Sequence, residues 1–181
     1  MQHVMLDLET MGSSSNAAIT AIGACFFDLK TGEIGKTYER IVHLRHSARY
    51  GKIDADTVLW WLRQSEEARK KLDSPDAVSL TSALTEFSEF INLRNVKVWG
   101  NGASFDCTIL KNAYEALDRV APWAHWNERD VRTMVDLGRD IAGFDPKKDM
   151  PFNGVRHSAL DDAIHQAKYV SAIYQRLKPA A

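Results

Sequence analysis

Cysteine is scarce in this chain: two among 181 residues, Cys25 and Cys107, each in an apolar segment. Two such residues make no disulfide framework, and without a C-x-x-C pair they offer no zinc ribbon. They read as small buried hydrophobes of a reducing compartment. No apolar run nears the roughly 20 residues of a membrane span. The N-terminus also lacks a basic stretch followed by a long apolar one, so a cytoplasmic protein without signal peptide or membrane contact is expected. Positive charge is not in excess either: 23 Lys and Arg against 24 Asp and Glu leave a net −1. That excludes a coat or architectural protein that gathers nucleic acid through its overall field. It is tolerable in an enzyme that grips a few phosphates locally. Repeats and low-complexity tracts are absent. A single domain over 1–181 is expected, large enough to bury about 70% of the unfolded chain's surface.

What is present is an apolar strand with two carboxylates in it. Val4, Met5, Leu6 and Leu8 suit a sheet interior, yet Asp7 and Glu9 interrupt and end the run. Side chains alternate along a strand, so the two acids point to one face. Burying them unpaired would cost several kcal/mol, roughly. A hard divalent cation resolves the conflict, because Mg²⁺ and Mn²⁺ prefer carboxylate oxygens. A strand end emerging into solvent would give the same triplet, so the rest of the chain must decide.

The hydrophobic pattern lays out strands at 2–8, 18–28 and about 34–44, with Thr31-Gly32 as a turn between the last two. These form an antiparallel meander. Helices follow over 54–69 and 78–93, then a strand at 96–99 and a helix from Ser104 to about 117. A short strand at 129–132, a helix over 133–141, a loop over 143–154 and a last helix from Ala159 to about 177 complete the chain. The class is α/β: a mixed sheet with antiparallel first three strands, flanked by helices.

Two further polar segments sit at element junctions. Asn101-Gly102-Ala103-Ser104-Phe105-Asp106 follows the strand at 96–99 and opens a helix. Ser104 is placed to cap it, which puts Asp106 in the first turn, where the macrodipole favours an anion. That is a sufficient structural job for an acid of no catalytic use. His157-Ser158-Ala159-Leu160-Asp161-Asp162 opens the last helix. Ser158 and Asp161 have the spacing of a capping box. His157 then lies outside the helix, while Asp162 occupies its second turn.

D-x-E, N-x-x-x-F-D and H-x-A-x-x-D, in that order, resemble the three motifs of the DEDDh 3′–5′ exonucleases, which have a ribonuclease H-like fold. The resemblance runs from Asp7 to Asp162. It implies that Asp7, Glu9, Asp106 and Asp162 hold two divalent cations, Mg²⁺ or Mn²⁺. Asp7 would bridge them, Glu9 and Asp162 would complete the first, and Asp106 would support the second. It also implies that His157 is the general base, a task for which imidazole titrates in the right range. A sister subgroup has a tyrosine four residues before the last Asp; here that place is Ser158. The implied activity is hydrolysis from the 3′ ends of single-stranded RNA or DNA.

For the substrate, the family's pattern points to Thr10 and Met11, just after Glu9, although Met11 serves equally as packing. Lys36, Arg40, Arg45, Arg49 and Lys52 form the most basic stretch, a phosphate track or a solvated face. Trp60 and Trp61 are adjacent and lie about 100° apart on a helix. One is expected in the core and the other, taken as Trp61, on substrate or a partner surface. Trp60-Trp61-x-x-Gln64-Ser65 and Arg129-Asp130-x-Arg132-Thr133 resemble a small bacterial and phage branch that includes ribonuclease AS and exonuclease VIII-like proteins. There Arg132 is either a substrate contact or an ion-pair partner of Asp136. The branch implies a homodimer. An oligoribonuclease-type enzyme, a ribonuclease H-like endonuclease and a binding module with a structural cation are the competing readings; a base such as His157 has no use in the last.

Overall fold

Alternation along β1 (His3–Thr10) sorts the molecule into two faces. Val4, Leu6 and Leu8 enter one core, and Met5 enters another on the opposite side, the side to which Asp7 and Glu9 also point. The computed structural model describes residues 1–178. After β1 come β2 (Ile19–Phe27) and β3 (Ile34–Ile41), then α1 (Leu44–Ser47), α2 (Ala55–Leu62), α3 (Glu66–Lys71) and α4 (Leu80–Phe90). The chain continues through β4 (Lys97–Gly100), α5 (Asp106–Glu115), a 3₁₀ turn (His125–Asn127) and β5 (Glu128–Asp130). It closes with α6 (Val131–Ala142), α7 (Pro146–Asp149) and α8 (Ala159–Arg176).

The sheet order is β3-β2-β1-β4-β5. β1 and β3 flank β2 antiparallel, whereas β4 runs parallel to both β1 and β5. This is the mixed sheet that the pattern predicts. All nine residues of β2 are buried, as expected of a strand covered on both sides. On the first face, Leu80, Leu84 and Phe87 of α4 and Ile109, Leu110 and Tyr114 of α5 meet Val4, Leu6 and Leu8. On the second, Val131 and Val135 of α6 and Ala163, Ala167, Val170 and Ile173 of α8 meet Met5, Cys25, Phe27 and Trp99. Each large apolar side chain so buried contributes about 1.5–3 kcal/mol before entropy is counted. Both cysteines are free and buried.

One glycine sets the height of α8 over the sheet. Gly23 of β2 lies opposite Asp7 of β1. A Cβ on it would fall 2.1 Å from the carbonyl carbon of Ala159. The start of α8 therefore rests directly on backbone beside the first carboxylate.

Several boundaries differ from the pattern. β1 runs on to Thr10, with a register shift between Glu9 and Thr10. The expected helix over 54–69 is two helices, because the Ser65 side chain accepts from Ala68 N and starts a new one. α5 begins at Asp106 with no side-chain cap, so Ser104 does not cap it. α6 begins at Val131, two residues early, since Asp130 caps it through Thr133 N. Within the expected 143–154 loop, Asp145 and Pro146 start the short α7.

Candidate active site

The carboxylates converge at the carboxyl ends of parallel β1 and β4, where α/β sheets commonly bind ligands. Asp7 and Glu9 arrive from β1 on the α8 face. Asp106 is the first residue of α5, and its Oδ1 accepts from Leu8 N at 3.2 Å, which ties that helix start to β1. Close approach is possible because Gly100 has no side chain: a Cβ there would lie 3.1 Å from Asp106 Oδ2. Asp162 lies in the first turn of α8 and accepts His157 N at 3.0 Å on Oδ2. His157 has φ 62°, a left-handed backbone that costs a non-glycine residue of order 1–3 kcal/mol. That turn brings Glu9, His157 and Asp162 together, with one ligand atom from each within 4.8 Å of the others.

Mutual repulsion and loss of solvent mark the cluster. Burial raises Asp7 well above the ordinary carboxylate range, and Asp106, Glu9 and Asp162 add to it. Glu9 is pushed up to about 8 by burial, then by Asp162 and Asp106, with Lys71 pulling weakly the other way. Asp106 is raised to about 7 by burial, against hydrogen bonds from backbone N–H groups and the charge of Arg132. Asp162 is raised as well, again by burial, against the hydrogen bond from His157. Four acids that resist ionising side by side fit a hard divalent cation, whose charge removes the conflict and whose preferred ligands are these oxygens.

Three of the four expected substrate residues, Thr10, Met11 and Trp61, are buried. Trp61 is 3% exposed; its Nε1 donates to Thr10 O at 2.9 Å and it packs with Met11, Ala18 and Ala68. It is the core member of the pair and presents no free face to a base. Trp60 is the exposed one at 40%, edge-on to the His157 ring at 4.9 Å. Thr10 and Met11 are buried too, and the Thr10 hydroxyl donates to Gly12 O. Met11 therefore packs. Arg132 is exposed on α6 and its Nε donates to Asn101 O at 3.1 Å, beside the Asp106 loop. Asp136 pairs with Arg139 instead of Arg132.

The capping box at α8 is also absent. Asp161 Oδ2 accepts Val155 N at 2.9 Å, so its role is structural but on the preceding loop. The Ser158 hydroxyl is turned away from the helix, 2.7 Å from Lys71 Nζ and 3.3 Å from Glu39 Oε1. This polar knot joins α3 and β3 to the residue after His157. Lys71 and Glu39 carry no sequence signal of that link. Gln166, whose Nε2 donates to Asp7 Oδ1 at 2.8 Å, was findable: it stands four residues after Asp162 on one helix face.

The profile of the 3′–5′ exoribonuclease Rv2179c-like domain matches residues 2–174. The chain belongs to that family. An exodeoxyribonuclease of Enterobacteria phage T4 is 28% identical, over 87% of this chain and 82% of its own length. The nuclease domain of 3′hExo, a DEDDh family member bound to rAMP, superposes with a TM-score of 0.65 at 12% identity, over 96% of this chain and 91% of that one. Pop2p of S. pombe, in its Mg²⁺- and Mn²⁺-bound form, gives 0.64 at 12% identity over 97% and 84%. An E. coli exonuclease I complex with single-stranded DNA gives 0.64 at 16% identity over 96% and 39%. The fold is thus that of the ribonuclease H-like DEDDh exonucleases, and the chain is a hydrolytic 3′–5′ exonuclease.

Proposed function

We propose that Asp7, Glu9, Asp106 and Asp162 hold two divalent cations, Mg²⁺ or Mn²⁺, and that the chain trims single-stranded RNA from its 3′ end. The mutual electrostatic coupling of these four carboxylates carries the reading, with Glu9 and Asp162 within ligand distance of each other and of His157, and the family's exoribonuclease description favours RNA. When bound, such cations acidify an attacking water and offset charge on the scissile phosphate and the leaving 3′-oxygen. The chain's own part is to place and deprotonate that water. His157, held beside Glu9 and Asp162 but outside α8, takes the water's proton on a ring nitrogen. Its left-handed backbone fixes the ring toward the cluster. Trp60 offers its exposed face to the terminal base, and Arg132 faces the phosphates from the opposite rim.

DNA is the second reading, favoured by the phage exodeoxyribonuclease relative. One gel separates the two: 5′-labelled RNA and DNA strands with Mn²⁺, beside 3′-blocked and circular controls. A ladder shortening from the 3′ end of RNA, abolished by chelator, is expected. Cutting of circles would make the enzyme an endonuclease, and digestion that stops at fragments of a few nucleotides only would make it an oligoribonuclease type.

A further inference from the structure

Asp7 is held by a side chain that no motif includes. Gln166 lies one turn beyond Asp162 on α8, is 5% exposed, and donates through Nε2 to Asp7 Oδ1 at 2.8 Å. Its other amide atom, Oε1, is buried without a partner. An amide has two orientations. Turned over, it would set Oε1 against the ionised Asp7 carboxylate that a cation requires, acceptor against acceptor, and leave Nε2 unpaired as well. A leucine or methionine would fill the space with no orphaned acceptor, so packing alone does not account for a glutamine here.

We infer that Gln166 is a positioning residue for the metal site, acting through Asp7. Each carboxylate oxygen has two lone pairs, and the amide takes one of them on Oδ1. That fixes the plane of the carboxylate and the directions in which its remaining lone pairs point. Neutrality matters as much as donation. A lysine at this place would also donate, but its charge would balance the acids in the cation's stead. The amide orients Asp7 and leaves the full negative charge of the cluster to attract a cation, as partners behind metal ligands generally do.

The inference rests on the reading of the four acids as a metal site, and the test separates the two. Mn²⁺ affinity by calorimetry and the metal-free thermal midpoint are measured on the full chain for wild type, Gln166→Met and Gln166→Lys, together with 3′-end hydrolysis. The methionine variant keeps length and packing but loses the donor. It should bind Mn²⁺ about 10–100-fold more weakly with a metal-free midpoint equal to or above wild type. The lysine variant should melt higher without metal and lose Mn²⁺ binding. Wild-type Mn²⁺ affinity in either variant overturns the inference alone. A wild-type protein that binds no Mn²⁺ overturns the metal-site reading and the inference with it.

Discussion

Asp7 shows how a residue can be wrong for stability and right for a site. Its pKa is raised by burial and by three acidic neighbours, so the metal-free fold prefers it protonated. A raised carboxylate contributes stability that is full below the unfolded pKa and lost as pH rises through the folded one. For Glu9 the window runs from 4.5 to about 8. His3 has the opposite sign: burial and Lys97 lower it from 6.5 to about 4, so its contribution is full above 6.5 and lost as pH falls toward 4. Four raised carboxylates outweigh one lowered histidine, so the thermal midpoint of metal-free protein should fall as pH rises from about 4 to 8. Asp7→Asn should flatten this fall and His3→Gln should steepen it below about pH 6.5, with each kcal/mol of relief worth about 2–4 °C in a chain of this size. A midpoint that rises steadily from pH 5 to 8 without metal would contradict the picture. The same Asp7→Asn protein should be inactive. His157→Ala should lose roughly 10²–10⁴-fold in turnover while calorimetry finds Mn²⁺ affinity near wild type. A large loss of affinity would make His157 a ligand.

At the scale of elements, the site depends on how closely α8 approaches the sheet. Gly23→Ala would put a methyl group into the backbone of Ala159 and Leu160. The start of α8 must then lift, carrying Asp162 and His157 away from Asp7. Such overpacking costs about 1–3 kcal/mol, and hydrolysis should fall much further than stability does; activity equal to wild type would show that the helix start has slack. This dependence also marks what could be read from sequence. Alternation along β1 was enough to place Asp7 and Glu9 on one face, and motif order brought in Asp106 and Asp162. Ser158 is the N-cap residue as expected, but its hydroxyl does not cap, because its partners, Lys71 and Glu39, lie 87 and 119 residues away in sequence. The tryptophan pair was assigned the wrong way round because a 100° step separates two directions without saying which is the core. The break at Ser65 is legible in kind, a serine before two acids that starts a new helix.

For the whole molecule, net charge −1 leaves substrate capture to local features. Leu59, Trp60 and Leu62 of α2 are 51%, 40% and 61% exposed, an apolar surface beside the His157 ring. A two-fold homodimer with α2 at the interface or at the rim of the cleft would cover it. Light scattering at micromolar concentration should then find about twice the 20.4 kDa chain mass, and a single-chain mass would exclude the dimer. Among the described residues no helix is long and apolar enough to cross a membrane. The central claim is that the carboxylates of β1, α5 and α8 form one two-cation site. Anomalous diffraction from crystals soaked in Mn²⁺ tests it directly. Two peaks about 3.5–4 Å apart, bounded by Asp7, Glu9, Asp106 and Asp162, are the predicted result; no peak there, with Mn²⁺ bound elsewhere or not at all, would contradict it.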